Sequence, residues 1–334
     1  MSLGTLEEYG SCQGYSMEGD NPPHKGDASR RSERCDIRKP ALKEDVFARV
    51  FFVRHAESTW NERGVWKTIK HKIWTAPRRF FDAHLSEEGI AGAMELRDWI
   101  FSGECLTADQ CFLRGTPYED DQMRRVVFAT SNLRRAILTA LIAFHGRLDG
   151  TSEERLKIKH MYILSSLQET ASNVDSTTVT PPNEIPYLTF SKSQCPFKLS
   201  SMDRLFITEC SEEDNRQHRL SGKGLERFCD WMRDMAIDGL PTTDAHPAAL
   251  REDGVTDFVL TGHSIWLREF FQKYLEGGGK NSLDKDIASS TMKVANQSVV
   301  KFTVKFPMTG SCVIQSNTSE LLHGELKKRY WLVR

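Results

Sequence analysis

The chain has 334 residues, 39% of them hydrophobic and 27% charged, which suits one large domain with embellishments or two smaller ones. Such a composition excludes a globally disordered or collagen-like chain. Lysine and arginine number 45 against 46 acidic residues, a formal charge of -1, which argues against wholesale coating of nucleic acid or of an anionic membrane.

No stretch approaches the roughly 18 apolar residues of a membrane span. The N-terminus lacks the apolar core of a signal peptide. A soluble, cytoplasmic protein with no membrane or nucleic-acid partner is therefore expected. The eight cysteines are Cys12, Cys35, Cys105, Cys111, Cys195, Cys210, Cys229 and Cys312. None forms a C-x-x-C pair or repeats at zinc-ligand spacing, so reduced thiols and no metal site are expected.

Residues 1–42 alternate Gly, Ser, Pro and charge without a period and read as a flexible tail, with a docking arm as the alternative. The folded part, 43–334, opens abruptly with Val46 to Val53, a nearly continuous β-favouring run that suits a strand covered on both faces. Leu85-Ser86-Glu87-Glu88-Gly89-Ile90 then announces a helix: Ser86 as N-cap, acids in the first turn, Leu85 stapled to Ile90. A second strand, Val126 to Thr130, leads into a largely apolar helix from Leu133 to Phe144. Leu220-Ser221-Gly222-Lys223 repeats the cap pattern, Phe258 to Thr261 is a third strand, and Ser298 to Lys305 and Cys312 to Gln315 are further strands. Strand and helix alternate, which predicts an α/β three-layer sandwich with a mixed, mainly parallel sheet flanked by helices. Two insertions, at about 62–81 and 170–219, interrupt it, and the longer reads as a lid.

In open α/β sheets the ligand lies beyond the carboxyl ends of the strands. After the first strand comes Arg54-His55-Ala56-Glu57-Ser58-Thr59-Trp60-Asn61, after the second Ser131-Asn132-Leu133-Arg134-Arg135-Ala136, after the third Gly262-His263-Ser264. Two histidines and several arginines thus converge on one edge. A single strand-terminal histidine is usually a structural hydrogen bonder; three such ends together point to a site.

These stretches resemble the histidine phosphatase superfamily, in its phosphoglycerate mutase-like branch, over about residues 46–305. Arg54-His55-Ala56-Glu57-Ser58 with Asn61 is similar to R-H-G-x-S…N, and Asp82 to Gly89 to D-x-x-L-S/T-x-x-G. Ser131 to Ala140 is similar to S-x-L-x-R-A-x-x-T-A, and Gly262-His263-Ser264 to the second-histidine motif. The resemblance implies His55 as nucleophile, with Arg54, Arg135 and a protonated His263 around the phosphoryl group and Ser58 and Asn61 as neutral donors. It implies neither cofactor nor metal. The physical chemistry agrees: a neutral imidazole can attack phosphorus, and planar guanidinium forks match the oxygens of the transferring group.

Arg134 competes with Arg135, but the S-x-L-x-R spacing selects Arg135, and adjacent helical residues point about 100° apart. The leaving group needs a proton, and Glu169 is the first candidate general acid, with Asp175 and Glu184 in reserve. Ala56 stands where the family has glycine. The stretch from Asn61 to Asp82 and the Thr170-Ala171-Ser172-Asn173 sequence depart from the glycolytic mutases. A metal-independent phosphomonoester phosphatase working through phosphohistidine is therefore expected. A phosphoglycerate mutase-type phosphoryl transferase is the alternative, and a phosphate-binding scaffold the third reading.

The insertion after Asn61 carries Arg63, Lys67, Lys70, Lys72, Arg78 and Arg79 against Glu62 alone. It predicts a small phosphorylated substrate with more than one anionic group, a solvated basic loop being the equal alternative. Gly277-Gly278-Gly279-Lys280 reads as a helix-terminating turn rather than a phosphate loop. His71 and His84 have no partners at metal-ligand spacing, and Lys327-Lys328-Arg329 reads as a solvated terminal stretch. Substrate identity and oligomeric state are not legible in the sequence.

Overall fold

Alternate residues of β1 (Val46–Arg54) face opposite ways, and both faces are covered. Ala48, Val50 and Phe52 enter one apolar cluster, Phe51 and Val53 another. That is why the run reads as continuously apolar instead of alternating. In the computed structural model, residues 44–61, 81–101, 107–116, 125–148, 158–171, 174–178, 180–181, 184–185, 188, 205–209, 223–237, 256–278 and 282–329 are described. All of them fall within one compact unit, Leu42–Arg334.

β1 is central. It pairs in parallel with β5 (Thr256–Gly262), which pairs in parallel with β2 (Arg125–Ser131). From β2 the sheet continues in parallel through β3 (Met161–Leu164) to β4 (Phe206–Glu209). β6 (Met292–Val294) lies outside this sheet, and on the other side of β1 the chain turns antiparallel with β7 (Val299–Phe306). β8 (Val313–Ile314) and β9 (Glu320–His323) both pair with β7, which completes an eight-stranded sheet of order β4-β3-β2-β5-β1-β7-β8. β10 (Leu326–Lys328) pairs with β6 as a separate two-stranded ribbon.

The apolar stripes of α1 (Glu87–Phe101), α2 (Ala108–Arg114) and α3 (Arg134–Ala143) cover one face, through Leu96, Phe112 and Ala143 among others. α4 (Lys223–Ile237), α5 (Ser264–Tyr274) and α6 (Ser282–Ala288) cover the other. Trp266 of α5 anchors that side. Its ring stacks on Phe270 at 5.0 Å between centroids and meets Phe228 edge-on at 4.9 Å. Burying a side chain of this size is worth about 2–3 kcal/mol. The mainly parallel, mixed three-layer architecture is the one the strand–helix alternation predicts.

Local signals hold at atomic level. The Ser86 hydroxyl accepts from the Gly89 N–H at 3.0 Å, so it caps α1. α5 ends at a turn in which Gly277 takes φ 61°, the left-handed region that glycine enters freely. One expectation needs correction. Cys229 of α4 is joined to Cys312 in a disulfide, with Cα atoms 5.7 Å apart, so these two thiols are not reduced. Both side chains lie in the cluster beneath α4 and α5, and 83 residues of sequence separation hid their meeting. Cys111 is buried on α2.

Lys327 and Lys328 are exposed, as a solvated stretch requires, but they are also paired in the strand β10, and Arg329 extends it by donating its N–H to Thr291 O at 2.7 Å. The tail of 1–42, the basic segment Arg63 to Arg79 with Lys67 and Lys70, and most of 170–219 lie outside the described residues.

Candidate active site

The site is built at the carboxyl edge of the parallel strands. Arg54 ends β1 in register with Gly262 at the end of β5, and the His55 N–H donates to Gly262 O at 3.0 Å. The two histidines are thereby set side by side, with ring centroids 4.9 Å apart. The loop after His55 is pinned from below. Ser86 N–H donates to Glu57 O at 3.1 Å, and Thr59 N–H donates to His84 O at 3.0 Å. A Cβ on Gly89 would sit 1.9 Å from Glu57 O, so α1 can support this loop only with glycine there. Ala56 is tolerated in place of glycine because its backbone is not in the positive-φ region, and its N–H donates to Thr139 Oγ1 at 2.9 Å.

His55 is buried with its Nδ1 2.6 Å from Ala56 O. That contact assigns the hydrogen to Nδ1 and leaves the Nε2 lone pair free of a proton. Nε2 faces the Arg135 Nε–H at 3.3 Å. Burial, then the positive charges of Arg135 and Arg54, push the His55 pKa well below 6.5, so the imidazole is neutral.

Arg135 is the hub, buried to 1% exposure on the first turn of α3. Besides His55 it reaches His263 Nδ1 at 3.5 Å and Asp175 O at 2.7 Å, and its NH2 lies 3.4 Å from the Asp175 carboxylate. Arg54 is buried too. One amino group donates to Val294 O, while its Nε has no partner among the described residues. Burial lowers the Arg54 pKa to about 10, which leaves it charged at neutral pH; Glu169 opposes the shift.

Glu169 lies in the same cluster. It follows β3 and a 3-10 turn (Ser165–Leu167), and Gln168 fixes the segment. Gln168 accepts from Asn132 Nδ2 at 3.0 Å and donates to Ser176 O at 2.5 Å. Trp266 Nε1 adds a bond to Ser166 O at 2.9 Å. Burial raises the Glu169 pKa above 4.5 against the pull of Arg135 and Arg54, with the Asp175 charge assisting the rise. A buried carboxyl of this kind holds its proton more readily than a solvated one.

The protonated His263 expected around a phosphoryl group is opposed by the protein's own groups. Burial and the charges of Arg135 and Arg54 lower its pKa well below 6.5, and the neighbouring His55 also lowers it. With Arg135 facing Nδ1, the hydrogen belongs on Nε2, which lies 2.9 Å from Ser131 Oγ. Of the reserves for general acid, Asp175 joins the cluster as the clamp on Arg135, and Glu184 is exposed and outside it.

Arg134 points away, donating to Phe81 O and Asp82 O and to the Asp82 carboxylate from its backbone N–H at 2.7 Å. Its guanidinium meets His84 Nε2 at 2.5 Å, and burial lowers the His84 pKa to about 4. Ser58 is fully buried, its Oγ without a partner among the described residues. Asn61 lines a cavity of about 920 Å³ that it shares with Arg54. Among the described residues no three His, Cys, Asp or Glu side chains gather as a metal site. None of their helices is long and apolar enough to cross a membrane.

Sequence reasoning did not single out Ser131, Asn132 or Gln168. Ser131 and Asn132 stood in a quoted motif, but their partners, His263 and Gln168, arrive from other strands.

Neither a family model nor a curated protein matches the sequence. Among solved structures, the fold is similar to phosphoserine phosphatase from Entamoeba histolytica in complex with 3-phosphoglyceric acid. Identity is 14% and the TM-score 0.32, over 80% of this chain and 94% of that one. Ecdysone phosphate phosphatase from Bombix mori in complex with tungstate matches at 12% identity and a TM-score of 0.41, over 83% and 92%. Mycobacterial glucosyl-3-phosphoglycerate phosphatase matches at 13% and 0.33, over 77% and 91%. Likeness at this level is too slight to assign a reaction.

Proposed function

We propose that the domain of residues 43–334 is a cytoplasmic phosphomonoester phosphatase of the histidine phosphatase type, acting through a phosphohistidine at His55 without metal or cofactor. One observation carries this reading. The Nδ1–H of His55 is held by the Ala56 carbonyl, so a neutral Nε2 lone pair is presented beside Arg135, with a buried Glu169 in the same cluster.

Nε2 attacks phosphorus, the ester P–O bond breaks, and Glu169 gives its proton to the departing alkoxide. The Glu169 carboxylate then takes a proton from water as its oxygen attacks phosphorus. The N–P bond breaks, releasing inorganic phosphate and restoring neutral His55 and protonated Glu169. Arg54 and Arg135 offset the charge on the equatorial oxygens throughout, with Ser58 and Asn61 as neutral donors. An incoming dianion also favours protonation of His263, which converts it into a further donor.

Phosphate release from a panel of phosphomonoesters in EDTA, by wild type and His55→Ala, tests the reading. EDTA-resistant release that disappears in His55→Ala is expected. Release that needs a divalent cation, or that survives in His55→Ala, contradicts it.

A further inference from the structure

Thr139 sits one helical turn after Arg135 on α3, so the two side chains stand on the same face of the helix. It is fully buried. Its hydroxyl donates to Arg135 O at 2.7 Å, the bond to the preceding turn that a helical threonine can make. A hydroxyl has one hydrogen, and this bond uses it. The oxygen lone pairs are left to accept, and they take the Ala56 N–H at 2.9 Å.

The direction of these bonds is fixed, because an amide N–H only donates and a carbonyl only accepts. Ala56 is thus held at both ends. Its N–H goes to Thr139, and its carbonyl takes the Nδ1–H of His55 at 2.6 Å. The other ring nitrogen, Nε2, faces the Arg135 Nε–H at 3.3 Å. One face of α3 therefore governs both nitrogens of His55: Arg135 directly, and Thr139 through the Ala56 backbone.

The surroundings make this hydroxyl hard to replace. Ala56 enters an apolar cluster with Leu138 and Ile142 of α3, and all three are buried. An Ala56 N–H that lost Thr139 would be a donor stranded in that cluster, which costs more than the bond it gave up. A shift of the loop relieves the cost, and it turns the Ala56 carbonyl off Nδ1. The bonds from the start of α1 grip the loop at Glu57 O and the Thr59 N–H, and neither bears on the Ala56 N–H.

We infer that Thr139 is a positioning residue for the nucleophile: without touching substrate, its hydroxyl holds His55 in the Nδ1–H tautomer and at its distance from Arg135. The effect on rate rests on the phosphatase reading of His55; the effect on the tautomer does not.

Thr139→Val replaces the hydroxyl by a methyl of similar size, and Thr139→Ser restores it. Nitrogen NMR at neutral pH, on protein labelled in its histidine rings, reads the tautomer, the His55 signals being those missing from His55→Ala. Wild type and Thr139→Ser are expected to show the Nδ1–H form, and Thr139→Val a mixture or the Nε2–H form. With p-nitrophenyl phosphate, Thr139→Val is expected to lower kcat about tenfold or more and leave KM within about threefold, the scale of a small misplacement of a reacting group. Thr139→Ser is expected to keep kcat within about threefold of wild type. An Nε2–H tautomer in wild type, an unchanged tautomer in Thr139→Val, or an equal loss of activity in the serine and valine variants overturns the inference. So does a changed tautomer with unchanged kcat. Thermal melting identifies a valine variant that fails to fold, and Thr139→Ala replaces it. A tautomer that changes in Thr139→Val, in a protein whose wild type releases no phosphate, keeps the hold on His55 and removes the reaction.

Discussion

Arg49 and Arg54 sit five residues apart on β1 and lead opposite lives. Arg49, at the start, is bound by Asp257: its NH2 and Nε donate to one carboxylate oxygen at 2.7 and 3.1 Å, and its backbone N–H donates to the other at 3.1 Å. Its guanidinium also lies 4.9 Å from the Phe112 ring centroid. Arg54, at the end, forms no ion pair among the described residues and keeps a buried Nε unbonded. One arginine is finished as a structural tie. The other is held in place by backbone groups alone, which positions its charge without neutralising it. Under the proposed reaction, that contrast separates a charge that stabilises the fold from one kept for a ligand.

The sharpest way to break the comparison is Arg135→Met. Losing the hub of the charged end is expected to lower kcat by about 100- to 1000-fold, the usual effect of removing a preorganised donor to a transition-state anion. Steady-state kinetics with p-nitrophenyl phosphate measure it, and a loss below tenfold would count against Arg135 as a phosphoryl clamp. Next comes Glu169→Gln. It is expected to cost about 100-fold with an alkyl phosphate, and much less with p-nitrophenyl phosphate, whose leaving group needs little protonation. Equal losses on both esters would remove Glu169 from the role of acid.

His55 and Glu169 set the expected pH profile. His55 works unprotonated and its pKa lies well below 6.5, so the acid limb of kcat/KM falls below pH 6.5. Glu169 works protonated and its pKa is raised above 4.5, so activity declines as pH rises through that elevated value. A bell-shaped profile follows, with its acid limb below pH 6.5 and its basic limb above pH 4.5, and Glu169→Gln should erase the basic limb.

At the opposite end, Asp257→Ala strands Arg49, whose side chain is 23% exposed. Partial exposure tempers the penalty, and a stability loss of about 2 kcal/mol is expected in urea denaturation, with kcat unchanged within about twofold. Arg134→Met is the mildest case for stability. It frees the loop around Asp82 and His84, and is expected to lower kcat by less than about tenfold while costing about 1–2 kcal/mol of stability. A deeper catalytic loss in Arg134→Met than in Arg135→Met would reverse the assignment of the two neighbours.

Much of the candidate site was legible because its residues lie just after strands that the sequence announces. Val46 to Val53 delivers His55, Val126 to Thr130 delivers Arg135, and Phe258 to Thr261 delivers His263; parallel pairing does the rest. Glu169 was found the same way, behind the short run Met161 to Leu164. What stayed hidden depends on separation. Nothing local joins Asp175 to Arg135 or Cys229 to Cys312, because tertiary packing alone brings them together. The pairing of Lys327-Lys328 in β10 stayed hidden for a related reason. A charged, exposed run carries no local sign of its strand partner, Met292–Val294. The downward pull on the His263 pKa was also out of reach, since it depends on burial and on Arg135, which sequence order does not convey.

The central claim is that the phosphoryl group passes through His55. Rapid quench of the wild type mixed with a radiolabelled phosphomonoester tests it directly. The account predicts protein-bound label that is stable in alkali, labile in acid, located on His55 and missing from His55→Ala. Label on another residue, or full turnover by His55→Ala, would contradict it.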